Sequence, residues 1–149
     1  MIVQGGLVGA AVKRLGEPLA LVTGLAFGAV AFALYGLAPT GTFFLLGIPL
    51  GGLFGLTYPA LQGLMTRRVG ADEQGRLQGA IASVTGIAGV IAPVLFTQVF
   101  AAAIGRLRPL GLPGAPFLLA ALLLVAAMTV VRRAASSPPV PLSVAERGN

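Results

Sequence analysis

From Leu77 to Gly105 the chain carries no Asp, Glu, Lys or Arg. A helix needs about 20 apolar residues to cross a bilayer, so this one stretch is long enough to span it. Similar uncharged runs recur along the sequence, each ending at basic residues, glycine or proline. Water cannot solvate such surfaces, whereas lipid tails can. The overall composition agrees: 56% of residues are hydrophobic and 9% charged, against about 45–50% and about 25% in soluble domains. So few charges cannot coat a soluble fold of this size. The sequence predicts an all-α membrane protein.

Five apolar segments are expected, spanning about 1–12, 18–37, 42–65, 77–104 and 114–131. They form a partial transmembrane bundle over residues 1–133, followed by a disordered cytoplasmic tail over 134–149. The tail is polar and contains prolines, a composition that buries too little apolar surface to fold. The first segment is too short to cross and ends at Lys13-Arg14, so it reads as the tail of a truncated helix. It does not fit a signal peptide, whose positive charge precedes the apolar stretch instead of following it.

Lys and Arg in short loops stay on the cytoplasmic side. If successive loops alternate, Lys13, Arg14, Arg67, Arg68, Arg76, Arg132, Arg133 and Arg147 share one side, and only Arg106 and Arg108 fall on the other. This asymmetry predicts a multi-pass protein of the inner (plasma) membrane with a cytoplasmic C-terminus. The formal charge of +6 therefore reports topology. The basic residues border apolar runs and make no stripe with interleaved aromatics, so nucleic acid is not an expected partner.

The chain has no cysteine and no histidine. Disulfides, thiol chemistry and His-based acid–base catalysis are thereby excluded. Its acidic residues, Glu17, Asp72, Glu73 and Glu146, all fall in expected loops or the tail. No nucleophile–base pair, metal cluster or phosphate loop is present. An enzyme, a cofactor and a metal are not expected.

Polar side chains within the spans are few: Gln4, Thr57, Tyr58, Gln62, Ser83, Thr85, Thr97 and Gln98. Hydroxyls can bond their own helix backbone, whereas an amide in lipid needs another helix or a water-filled cavity. Tyr58 and Gln62 are four apart and share a helix face. Gln4, Tyr58, Gln62 and Gln98 are the substrate-cavity candidates. Small residues also recur four apart, as at Gly24 and Gly28, at Gly47, Gly51 and Gly55, and at Gly75 and Gly79. Such spacing lets helices approach closely. Pro49, Pro59 and Pro93 should kink or open their spans. Asp72 and Glu73 precede a long helix, whose positive end favours acids, and Arg76 stands one turn from Asp72.

The loop from Gly9 to Leu21 resembles the loop signature of the major facilitator superfamily, with Gly9, Arg14, Gly16 and Leu21 on matching positions. Lys13 replaces the acidic residue and Glu17-Pro18 the later basic pair, so the copy is degenerate. Pro59-Ala60-Leu61-Gln62 and Gln74-Gly75-Arg76-Leu77-Gln78-Gly79, continued by Gly89, Pro93 and Leu95-Phe96-Thr97, resemble the tetracycline-efflux branch. The resemblance covers nearly the whole chain as helices eight (in part) to twelve, and it implies a C-terminal portion of that helical bundle. It also implies a drug:proton antiporter of the inner membrane working by alternating access. The implied partners are the lipid bilayer, an N-terminal half, small amphipathic organic substrates and protons. Gly9, Arg14, Gly16, Asp72, Gly75 and Arg76 would be cytoplasmic gate residues.

Two departures stand out. Leu25-Ala26-Phe27-Gly28 fills the neighbourhood of the family's ninth-helix acid, and Val3 the position of its eighth-helix histidine. Proton coupling needs an ionisable group within the membrane, so that group is expected outside these segments. Five segments fit poorly with transporters built from repeated three-helix units, and the chain is expected to be part of a longer protein. The competing expectation is a small membrane protein acting through helix–helix association, or a truncated gene product without function.

Overall fold

A computed structural model describes residues 14–67, 69–70, 72–106 and 108–136. The first predicted segment, 1–12, and the tail beyond Ser136 lie outside the described residues. The elements run α1 (Glu17–Leu37), α2 (Gly41–Phe54), α3 (Thr57–Thr66), α4 (Gln74–Ile104), a 3-10 turn at Arg108–Leu110, and α5 (Ala115–Ser136). Among the described residues four crossings are long and apolar enough to span a membrane: α1, α2 together with α3 over Gly41–Thr66, α4, and α5 as far as Ala134. Over the described residues the protein is an all-helical membrane bundle.

Local chemistry sets the helix ends. Gly16 adopts φ 78, a conformation that side chains resist, and its carbonyl accepts the Ala20 N–H at 2.9 Å. Glu17 and Pro18 fill the first turn of α1, where an acid meets the positive helix end and proline's missing N–H has no bond to lose. The helix stops at Leu37 because Pro39 holds Ala38 extended, at φ −62 and ψ 114. Thr40 then caps α2, its Oγ1 accepting the Phe43 N–H at 3.4 Å. At α4 the N-cap Glu73 makes no side-chain capping bond.

The span expected over 42–65 is one crossing, Gly41–Thr66, built from two helices. Pro59 has no N–H to offer the carbonyl of Gly55 one turn earlier. The backbone tightens there: Gly55 N–H bonds Gly52 O at 3.2 Å and Leu56 N–H bonds Leu53 O at 3.1 Å. Pro49 and Pro93 lie within continuous helices, so of the three prolines only Pro59 ends one.

α1 is the centre of the packing, touching α2, α3 and α5. Lipid is as apolar as leucine, so close van der Waals contact, more than burial from water, holds membrane helices together. Glycines on α1 supply that contact. A methyl at Gly24 would stand 2.6 Å from Thr57 Oγ1, and one at Gly28 2.5 Å from the Phe54 ring. On α2, the Tyr35 ring lies across Gly47 and Gly51. At the far end Gly36 and Gly114 cross so tightly that a methyl on Gly114 would run into the Gly36 carbonyl. Ala20, Leu21, Leu25 and Ala60 form the buried core, with Leu124, Met128 and Val131 of α5 packed on it. α4 is different. Its one buried residue is Ala103, and it meets α5 and the 3-10 turn.

Candidate functional site

The alternating helices bring the start of α1, the end of α3 and the end of α5 to one end of the bundle. There Pro18, Leu61, Leu64, Met65, Val131 and Ala134 surround a crevice of about 170 Å³. At the same end Arg67 Nε contacts Glu17 Oε1 at 3.1 Å, with the Glu17 side chain 17% exposed and that of Arg67 78%. The fit depends on Gly63, where a methyl would stand 2.6 Å from Glu17 Oε1. A pair with one partner this exposed contributes about 0–1 kcal/mol. Its interest is positional, since it ties the first turn of α1 to the last turn of α3.

The gate residues expected from sequence fall around this end. Arg14 is exposed and Gly16 forms the bend before α1. Gly75 and Arg76 are exposed at the start of α4, with open space beside Gly75. Asp72 and Arg76 make no ion pair among the described residues. Gly9 lies outside them. On the sequence alone Glu17 is a departure from a motif and Arg67 has no partner. The available signal was an acid in a helix's first turn and a base at the end of the crossing that returns to the same side.

The cavity candidates separate into two surfaces. Gln62 Nε2 donates to Tyr58 Oη at 3.1 Å along one face of α3, the pairing their spacing predicts. Tyr58 is 69% exposed, so this polar face is turned outward from the described helices. Gln98 sits on α4 in a shallow depression with Pro93, Val94 and Thr97, which no residue of α3 lines. Gln4 lies outside the described residues. The hydroxyls of Thr66 and Ser83 bond carbonyls of their own helices, Gln62 O and Gly79 O, each at 2.9 Å. They need no cavity.

Comparison with known proteins places this helical set. The class C tetracycline resistance protein of Escherichia coli is 32% identical over 122 residues, which cover 81% of this chain and 31% of that protein. The class D protein of Salmonella ordonez is 36% identical over 99 residues, 65% of this chain and 25% of its own length. The class E protein of Escherichia coli is 38% identical over 102 residues, 66% of this chain and 24% of its own. No family model and no solved structure matches. The chain therefore spans about a quarter to a third of the length of these relatives. Its glycine-packed helices, its motif at Gln74 to Gly79 and these identities agree: the chain is a tetracycline-resistance-like member of the major facilitator superfamily, matching part of its relatives' length.

Proposed function

We propose that this chain forms one wall of an efflux transporter that moves small amphipathic organic molecules outward by alternating access, in exchange for protons. The observation that carries the reading is the Tyr58–Gln62 pair. It is a hydrogen-bonded phenol and amide on the outward face of a membrane-spanning helix, in a chain whose relatives are named for tetracycline resistance. Lipid offers such groups no partner, so the face suits a water-filled cavity completed by further helices. Gln98 and Gln4 are assigned to the same cavity, Gln98 reaching it when α4 closes on the rest of the bundle.

The basic end is assigned to the cytoplasmic side of the inner membrane. Arg14, Gly16, Asp72, Gly75 and Arg76, together with the Glu17–Arg67 tie, would form the gate there. The chain's acidic residues lie outside the apolar stretches of its spans, so the proton-carrying group belongs to an N-terminal partner half.

The test is drug accumulation in a host lacking its own pumps. Residues 1–149 expressed alone should leave tetracycline and amphipathic dye accumulation unchanged. Co-expression with the part of the class C relative that precedes the segment matched by this chain should lower accumulation, and Gln62→Leu should reverse that about tenfold or more. Efflux by residues 1–149 alone, or complementation indifferent to Gln62, would overturn the reading.

A further inference from the structure

The geometry points to a seat for a phosphoethanolamine phospholipid at the start of α4. Val69, Glu73, Arg76, Leu77 and Ala80 line an open depression of about 210 Å³ there. Its two charged members, a carboxylate and a guanidinium, stand three residues apart, and Glu73 already has helical backbone at φ −91 and ψ −9, so their side chains are neighbours. Among the described residues neither enters an ion pair, and Glu73 makes no capping bond to its own helix. Both are exposed, while Val69 and Leu77 are half-buried. At about 1.5 Å per residue the 31 residues of α4 measure about 46 Å, against about 30 Å of hydrocarbon in a bilayer. When the apolar stretch from Leu77 onward fills that hydrocarbon, the first turn stands at headgroup level.

The side of α4 that this depression heads is the one suited to lipid. At about 100° per residue, Glu73, Leu77, Ala80, Val84, Ile87 and Ile91 fall on one side of the helix. Val84, Ile87 and Ile91 are 68%, 61% and 58% exposed. Gly75, Gly79, Gly86 and Gly89 fall on the opposite side. Helices approach one another along small residues, so an incoming helix takes the glycine side and the bulky apolar side is left to acyl chains. The two charges then select the headgroup. An ammonium with N–H donors can bond the Glu73 carboxylate while the phosphate of the same headgroup meets Arg76, both as charge-assisted bonds. Phosphatidylcholine has no N–H to give the carboxylate. Phosphatidylglycerol satisfies Arg76 but leaves Glu73 unpaired beside a second negative charge. The binding requires no transport, so its failure would leave the efflux proposal standing.

Purified residues 1–149 in lipid-free detergent are titrated with dioleoyl phospholipids, and one-lipid adducts are measured by native mass spectrometry. Half-saturation for phosphatidylethanolamine should lie about fivefold or more below that for phosphatidylcholine or phosphatidylglycerol. Glu73→Gln should bring phosphatidylethanolamine and phosphatidylcholine within about twofold of each other, since the carboxylate is what tells them apart. Arg76→Gln should weaken both about fivefold, because both carry the phosphate. Asp72→Asn, outside the lining of the depression, should move the preference by less than about twofold, with helicity retained in every variant by circular dichroism. Equal binding of the three lipids by the native chain would overturn the seat. So would a preference for phosphatidylglycerol, the signature of a basic surface alone. Equal effects of Asp72→Asn and Glu73→Gln would reduce it to diffuse charge and overturn it too. Full competition by water-soluble phosphoethanolamine at the lipid's own concentration would deny the apolar side of α4 any part, and would likewise overturn it.

Discussion

Helices α1 and α4 are both apolar, both long enough to cross a membrane and both rich in glycine at four-residue spacing, yet they are used in opposite ways. In α1, 44% of the membrane-spanning window is buried, and in α4 6%. Gly24, Gly28 and Gly36 of α1 each have a neighbouring side chain where their own would be. Gly75, Gly79, Gly86 and Gly89 of α4 have nothing within 4 Å. A helical glycine costs about 1 kcal/mol relative to alanine, and close approach of a neighbour is what offsets that cost. The same spacing is thus a completed interface on one helix and an uncovered face on the other. Glycine periodicity states a capacity for contact; the packing decides whether it is used.

The largest effect should come at the tightest crossing. Gly114→Ala forces its methyl into the Gly36 carbonyl, and overpacking of this kind costs about 1–3 kcal/mol, occasionally more. Unfolding of the purified chain in mixed micelles, followed by far-ultraviolet circular dichroism, should shift by the upper part of that range; no shift would break the contrast. Gly28→Ala should cost about 1–2 kcal/mol by the same measurement. Combined with Phe54→Leu the loss should shrink, because the ring it meets is gone; strict additivity would deny that Phe54 is the obstacle.

The Glu17–Arg67 pair should give less. A double-mutant cycle with Glu17→Gln and Arg67→Gln should show a coupling of about 0–1 kcal/mol, decreasing with added salt. A coupling above about 2 kcal/mol would mean a tie far more sheltered than an Arg67 at 78% exposure permits. The smallest change belongs to α4. Gly79→Ala and Gly86→Ala should leave this chain unaffected or stabilise it by up to about 1 kcal/mol each. Clear destabilisation would show that the face is already covered.

The membrane architecture was legible from charge spacing because burying a charge in hydrocarbon is costly. Arg14, Arg67, Arg76, Arg106 and Arg133 all stand within about a turn of observed helix ends. The Tyr58–Gln62 bond was legible too, being fixed by the geometry of one helix. The division of α2 from α3 was only half legible: Pro49, Pro59 and Pro93 carry the same chemical signal, and it ended a helix only at Pro59. Contacts between helices were not legible. Glu17 meets Arg67, and Tyr35 meets Phe44 and Phe117, only because α1 has a particular rotation against its neighbours. Glycine spacing allows several such rotations.

Cysteine labelling in intact cells tests the membrane account most directly, since the native chain has no cysteine to interfere. Gly41, Leu112 and Gly75 are all exposed, and Gly41 and Gly75 have open space for a side chain. With a membrane-impermeant maleimide, Gly41→Cys and Leu112→Cys should react from outside the cell, while Gly75→Cys should react only after lysis. Labelling of all three before lysis, or of Gly75→Cys alone, would contradict an all-helical bundle held in the membrane with its basic end inward.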